Sequence, residues 1–543
     1  MELPCSGVHE LFLDALDRAP ERVFVRHLTR HGEHRRTFRE VAGAIAQIVE
    51  RLRAIGVEPG ARAVVYSDGV VPSIHFMLGC AFAGVAFAPL APTFSPEAVR
   101  RVQQRLEAKV VFATGDHVAR LRAIGIRALC DGDAGGDDAL DLACPPGAGD
   151  RELLRTCGRD GTAEEPYVIL LTSGTTGEPK LAVRTHRAAV LGARWFRDGF
   201  GLAADARERV LLCSALTHGL GQLVLAFGLH LGAELCVPEV IEGDVALDQV
   251  QQLDPSIVCA HPRVILSLYR QHLARGGPPR SRFFGPSLRL LRTAGWNIDP
   301  ELQHMLAGQG IDVGEWYGAS ETSLVAMTRP GGWRAGELGP VCPGVELRLG
   351  PDGEMLVRSP LQMKGYYGDA ALTRDKLTAD GFVRTGDFAE LGADGALRLV
   401  GRKSEILNMR HGTNIAAVPI EDLILALPWV EQAVVVGTAR PYLAALIVVR
   451  DAPPSSEPDG FLGERASPAP YDRARRDLAA VNARLEPVAQ VRAFALFGRR
   501  FGADLYAELK LSGKIRRNRD GIDAGYRARI EALYHLPDPG PSW

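Results

Sequence analysis

The sequence lacks any marked excess of charge: 63 Lys and Arg stand against 65 Asp and Glu, a balance of -2 over 543 residues. No global field draws the chain to nucleic acid or an anionic membrane, so a polyanion would have to be held locally. Paired cysteines are missing too. Cys5, Cys80, Cys130, Cys144, Cys157, Cys213, Cys236, Cys259 and Cys342 include no CxxC pair and no His at metal spacing. That argues against a disulfide scaffold or zinc module and favours reduced thiols in a cytoplasmic protein. The opening Met1-Glu2-Leu3-Pro4 is not a basic stretch leading into an apolar run, so no secretory signal is expected. No repeat of 20–50 residues and no heptad run is visible, which removes solenoids and coiled coils. Residues 210–233 carry no Asp, Glu, Lys or Arg and could span a bilayer by length alone. Thr217, His218, Gln222, His230 and four glycines interrupt them, so a buried strand, loop and helix is expected and no membrane partner.

What is there is a globular composition, 46% apolar and 24% charged, long enough for three to four structural units at about 150 residues each. Thr37 and Glu40 form a capping-box pattern, and Phe38, Val41, Ala42, Ile45, Val49 and Leu52 recur at helical spacing up to Gly56. Short β-branched runs at 63–66 and 110–112 flank helical patterns, as in βαβ units of a parallel sheet. Residues 131–166 shift to Asp, Gly, Pro and Glu and read as a surface connection into a strand at 167–171. From 344 to 400 the apolar period becomes two, with turns at Pro351-Asp352-Gly353 and Ala393-Asp394-Gly395, which predicts an antiparallel subdomain. Beyond 403 a helix at 419–427 and strands at 432–436 and 444–449 are expected, then a Pro/Ser/Glu-rich mobile surface loop at 451–470.

Residues 170–180 read LLTSGTTGEPK: an apolar strand, then hydroxyls and glycines, then lysine. Gly174 and Gly177 let backbone N–H groups turn inward, Thr172, Ser173, Thr175 and Thr176 add hydroxyl donors, and Lys180 adds positive charge. This suits a phosphate loop. It is not a Walker motif, because the two glycines are three apart and no GKS or GKT follows.

With EWYGASETS at 315–323, RTGDFAEL at 384–391, GRKSEIL at 401–407 and LKLSGKIRRN at 509–518, in order and at comparable intervals, the chain resembles the adenylate-forming superfamily. Its members are acyl-CoA synthetases, nonribosomal adenylation domains and luciferases, and the resemblance runs from about residue 37 to 518. It implies an α/β fold: a large N-terminal domain (1–402) of βα-layered subdomains with a small antiparallel β subdomain, then a small mobile α+β C-terminal domain (403–543). It also implies ATP and Mg2+, a small carboxylic acid as substrate, and CoA or a carrier-protein phosphopantetheine as acceptor.

The resemblance assigns roles residue by residue, and each suits the chemistry of attack by a carboxylate on the α-phosphorus of ATP. Glu321 matches the magnesium-binding glutamate, and a hard cation wants such an oxygen ligand. Tyr317 and Gly318 match the aromatic segment that covers adenine, Ser320 a hydroxyl near the α-phosphate, and Gly295-Trp296 the strand edge on adenine's other side. Asp387 corresponds to the carboxylate that accepts the ribose hydroxyls and Arg402 to the arginine that reaches the same sugar. Lys514 matches the lysine that bridges carboxylate and α-phosphate. Ser404 falls at the pivot of the C-terminal domain, where the family usually has Asp or Lys. Two further departures lie in the 408–412 loop, one residue longer than usual before Gly412, and in Glu508-Leu509-Lys510, which replaces the common lead into SGK.

In amino-acid-activating relatives an aspartate in the segment matching 216–220 binds the substrate ammonium. Here His218 and Gly219 stand there, and burying an unpaired ammonium is costly, so a plain acid is favoured over an α-amino acid. His218 matches a position beside the substrate carboxylate, and Gly219, Gln222, Trp316, Leu324 and Val325 would line an acyl pocket suited to aryl or medium-chain acids. The motifs leave the acceptor open between CoA, an acyl or peptidyl carrier protein, and an amine, as in an amide synthetase. Oxidative luciferase chemistry has no specific support. A non-enzymatic acyl-binding homologue would require lost ligands, and Glu321, Asp387, Arg402 and Lys514 are all present.

Overall fold

The computed structural model describes residues 5–132, 138–143, 145–147, 149–157, 163–172, 179–203, 207–240, 245–278, 281–294, 300–508 and 515–535. The chain divides into two compact units, Met1–Thr385 with Leu391–Arg398, and Gly386–Glu390 with Leu399–Trp543.

The first unit is built on two eight-stranded sheets. One runs, in spatial order, Gly365–Tyr366, Lys180–Thr185, Pro166–Thr172, Ala86–Leu90, Arg62–Tyr66, Val110–Ala113, Leu129–Asp131, Ala139–Leu140. The other runs Ser323–Met327, Asp312–Ala319, Leu290–Ala294, Ile257–Ala260, Arg209–Leu211, Glu234–Val237, Val23–Thr29, Gly32–Thr37. Their inner strands pair in parallel and each sheet has an antiparallel edge. Both faces of the parallel strands are covered: Ala63 and Val65 enter one apolar core, Val64 and Tyr66 another. Alternate residues of such a strand are therefore all apolar, which is why it reads as a continuous run.

The helix over Phe38–Ala54 begins with a complete capping box: the Thr37 hydroxyl accepts from the Glu40 N–H at 3.2 Å, and Glu40 Oε2 accepts from the Thr37 N–H at 2.7 Å. Its apolar stripe joins Phe12, Phe76, Phe82, Phe196 and Phe227 in the largest core. The 210–233 stretch is the end of strand Arg209–Leu211, a loop and the 13-residue helix Gly219–Leu231, whose residues 221–229 are buried, most of them in that core. Among the described residues no helix is long and apolar enough to cross a membrane. The 344–400 region forms a four-stranded sheet whose turns close by Gly353 N–H to Gly350 C=O and Gly395 N–H to Gly392 C=O, both at 2.9 Å.

In the second unit the sheet order is Val430–Val436, Leu443–Val449, Val491–Phe497, Phe461–Leu462. Helices Ala417–Leu425 and Pro468–Asn482 cover one face, Arg519–Gly525 and Arg527–Tyr534 the other. Two expectations need correction. The 451–470 stretch is not a bare loop, because Phe461–Leu462 pairs with Val491–Phe497 and a helix starts at Pro468. The 131–166 connection contains a strand at Ala139–Leu140 and a helix over Asp150–Thr156, whose Leu154 is fully buried.

Candidate active site

Strands Pro166–Thr172 and Lys180–Thr185 run antiparallel with Thr172 opposite Lys180. Residues 173–178 between them, with Ser173, Gly174, Thr175, Thr176 and Gly177, lie outside the described residues, as do Gly295, Trp296 and Lys514. At the entrance to this loop the Thr172 hydroxyl is buried and has no hydrogen-bond partner. At its exit Arg105 Nη1 donates to the Pro179 carbonyl at 3.0 Å, and the Lys180 ammonium sits 5.7 Å from the centre of the Tyr366 ring.

The sheet edge opposite supplies a second group. Strand Asp312–Ala319 carries Trp316, Tyr317 and Gly318, turns through Ser320 and Glu321, and returns as Ser323–Met327 with Leu324 and Val325. The close pairing needs glycine at 318, since a Cβ there would lie 2.1 Å from the Ser323 carbonyl oxygen. Glu321 is half-buried and held from two sides: the Tyr366 hydroxyl donates to Oε1 at 2.7 Å, and the Met363 N–H donates to its carbonyl at 2.8 Å. Burial, then the nearby Glu321 charge, push the Tyr366 phenol well above its ordinary pKa, so it stays a neutral donor. Arg184, on the strand beside Tyr366, is 8% exposed. Burial pulls its guanidinium down to about 10, against an opposing effect of Glu321, so it remains charged at neutral pH.

His218 is the exposed N-cap of the helix Gly219–Leu231, not a core histidine. One turn in, Gln222 is buried, and its Nε2 donates to the Leu216 carbonyl at 2.6 Å. Gly219 and Gln222 line a pocket of about 20 Å³ together with Tyr167, Val168, Leu170, Arg184, Ala189 and Leu223. Trp316 packs edge-on against Phe196 at 5.6 Å between ring centres and shares a core with Leu324, while Val325, also fully buried, points to the opposite face of its strand.

In the second unit Asp387 is 1% exposed and takes the Arg402 Nε at 2.8 Å on Oδ1. Ser404 lies in an exposed single turn of 3₁₀ helix, Lys403–Glu405. The 408–412 loop closes a hairpin in which Asn408 faces Asn414, with Gly412 N–H bonded to the Met409 carbonyl at 2.9 Å. On either side of residues 509–514, strands Tyr506–Glu508 and Ile515–Arg517 pair with Glu508 opposite Ile515.

Sequence reasoning missed Tyr366, Arg184 and Tyr167. Tyr366 sits in a two-residue strand inside KGYYGD and carries no periodic signal. Arg184 did leave one, a charged residue directly after the apolar run Leu181-Ala182-Val183 of the strand KLAVRT.

Comparison with known proteins bears on this arrangement. Residues 12–367 match the family model for AMP-binding enzymes, and residues 404–537 match that for the AMP-binding enzyme C-terminal domain. The chain is similar to a long-chain-fatty-acid–CoA ligase of Mycobacterium bovis, 29% identical over 480 residues covering 79% of this chain and 78% of the relative. It is also similar to a feruloyl-CoA synthase of Amycolatopsis, 26% identical over 431 residues covering 76% and 82%. In fold it resembles the anthranilate CoA ligase AuaEII solved with anthranoyl-AMP, with a TM-score of 0.75 and 18% identity over 98% of this chain and 100% of that one. Since the first family match alone runs well past half of its length, the chain belongs to the AMP-binding enzymes, the adenylate-forming ligases that its ordered motifs resemble.

Proposed function

We propose that the protein activates an aryl or medium-chain carboxylic acid with ATP, releasing pyrophosphate to give acyl-AMP, and passes the acyl group to a thiol, that of CoA or of a carrier-protein phosphopantetheine. The observation that carries the choice of acid is the pocket beside His218: among the described residues its lining holds a buried arginine and no carboxylate. An α-ammonium would meet a like charge there with no carboxylate in that lining to pair with. The similar CoA ligases, whose names specify fatty and aromatic acids, support the same class.

The residues fit a magnesium nucleotide. Thr172 offers a buried hydroxyl without a partner and Lys180 an ammonium for phosphate oxygens, and Glu321, oriented by the Tyr366 hydroxyl, offers carboxylate oxygen to a hard cation. Bound magnesium would offset the charge that accumulates as pyrophosphate departs. In this reading Asp387 accepts from the ribose hydroxyls with Arg402 beside it, Tyr317, Gly318, Gly295 and Trp296 border the adenine, and Ser320 lies near the α-phosphate. His218 orients the attacking carboxylate, Lys514 steadies it against the phosphorus, and Ser404 is the pivot that exchanges adenylation for thiol transfer.

Pyrophosphate exchange into ATP with a panel of acids tests the first half-reaction. Exchange should depend on a carboxylic acid and be absent with α-amino acids, and Lys514→Ala should lower it by about 10²-fold or more. Exchange without acid, or an amino acid as best substrate, refutes the reading. Adding CoA, a holo carrier protein or free amines then identifies the acceptor, and product with amines alone would make the protein an amide synthetase.

A further inference from the structure

Three polar side chains meet on the pocket beside His218 with hydrogen-bonding capacity unspent. Tyr167 is 1%, Gln222 5% and Arg184 8% exposed, and the Tyr167 hydroxyl, Gln222 Oε1 and Arg184 Nε are each buried without a partner. Among the described residues the rest of the lining is Val168, Leu170, Ala189, Gly219 and Leu223, which offer no polar side-chain atom. Buried polar atoms are usually paired in folded proteins, and three unpaired ones on residues that line a single cavity suit a partner that arrives from outside.

Their chemistry specifies that partner. Arg184 Nε can only donate. Gln222 has committed its amide hydrogens, at 2.6 Å to the Leu216 carbonyl and at 3.6 Å to the Met77 sulfur, so its free Oε1 can only accept. The Tyr167 hydroxyl does either, and burial, its main perturbation, keeps it protonated. The complement is an oxygen that accepts from the guanidinium and donates to the amide oxygen, which describes a hydroxyl. Size agrees: about 20 Å³ admits one oxygen-sized group, whereas a carboxylate needs more room. Charge agrees as well, since a guanidinium favours an oxygen that bears partial negative charge, as a phenol does.

We infer that Tyr167, Arg184 and Gln222 form a recognition subsite for a hydroxyl group of the acid, so that the preferred substrates are hydroxylated, above all phenolic, carboxylic acids. The inference rests on the adenylation reading above for the identity of the ligand as an acid.

Matched pairs test it: benzoate against its three monohydroxy derivatives, and octanoate against hydroxyoctanoates, with adipate as a dicarboxylate. Two readouts are taken on the full chain, kcat/KM for pyrophosphate exchange and acid binding by calorimetry without ATP. At least one hydroxylated acid should exceed its parent by about 10²-fold in both, because a site built to bond a hydroxyl rejects the analogue lacking it. Tyr167→Phe and Arg184→Met, checked for folding by thermal melting, should each shrink that ratio about tenfold or more while changing the parent acid less. Equal use of the pairs, a ratio unchanged in both variants, preference for adipate, or no binding by any member overturns the subsite, and the pocket then holds only a structural water. Hydroxyl-dependent binding without exchange would instead leave the subsite standing and refute adenylation.

Discussion

Removal of the Glu421 carboxylate should loosen the second unit around residues 509–514 more than any surface change could. The side chain is fully buried and meets three donors: Arg517 Nε at 2.9 Å, Arg519 Nη1 at 2.9 Å and the Val435 N–H at 2.8 Å. Both arginines are themselves largely enclosed, with side chains 4% and 14% exposed. Arg517 also lies over the Tyr506 ring at 5.5 Å, so one guanidinium ties together the two strands that flank the segment bearing Lys514. Glu421→Ala leaves two enclosed cations with Asp422, 4.0 Å from Arg517, and the more distant Glu405 as the remaining carboxylates that act on them among the described residues. Stranding a buried charge costs about 3–5 kcal/mol, a third or more of the stability of many domains. Hydrogen exchange read over 430–436 and 515–517 should then quicken by roughly 10²–10³-fold. Joint replacement of Glu421, Arg517 and Arg519 by apolar residues of similar volume should recover most of that loss. A change under about fivefold in Glu421→Ala would show that the triad carries no such weight.

Glu315 is 3% exposed and bonded by Gln303 Nε2 at 2.9 Å, and burial pushes its carboxyl from 4.5 to about 6. Between those values the native state keeps a proton that the unfolded state has released, so this residue's favourable contribution is full below 4.5 and lost as pH rises through 6. Glu315→Gln should accordingly be about 2 kcal/mol more stable than the parent in denaturant melts at pH 7 and about equal to it near pH 4.5, and a gain of the same size at both pH values refutes the assignment. Asp387→Ala should raise the KM for ATP roughly tenfold or more and that for the acid much less, and the reverse order in steady-state assays counts against a ribose contact. Ser404→Pro fixes φ near about -65° at the proposed pivot, so acid-dependent exchange should persist while thioester formation falls, and equal loss of both steps removes Ser404 from that role.

Local rules were legible where one stretch of chain contained both the signal and its partner. Thr37 and Glu40 lie three apart, and the capping box they spell is the one that forms. The turns at Gly353 and Gly395 and the apolar strands from 62 to 66 and 443 to 449 followed from the same local logic. The helix Pro468–Asn482 was hidden because the Pro/Ser-rich composition before it masked a sound start signal, proline at the first helical position, and its charged surface diluted the apolar stripe of Tyr471, Ala474, Leu478 and Val481. Motif order pointed to Glu321, but its donor Tyr366 lies 45 residues on, in an edge strand too short to have a period. The Glu421 triad joins residues about 98 positions apart, a pairing that only the sheet of the second unit creates.

Arg184 and Arg292 are both buried in the first unit, and their surroundings differ. Arg292 Nη1 donates to the Asp312 carbonyl at 2.7 Å and Nη2 to Asp312 Oδ2 at 3.1 Å, the Phe200 ring lies 5.2 Å away, and its Nε has no partner. That set offsets the cost of taking a guanidinium out of water, and it sits where the strands Leu290–Ala294 and Asp312–Ala319 pair. Arg184 Nε is likewise without a partner, but Arg184 lines a cavity, and Glu321 acts on it through space. If a hydroxyl of the acid meets the Arg184 guanidinium, as inferred above, the desolvation cost of that charge is offset on binding, and offset selectively by an acid that brings such an oxygen.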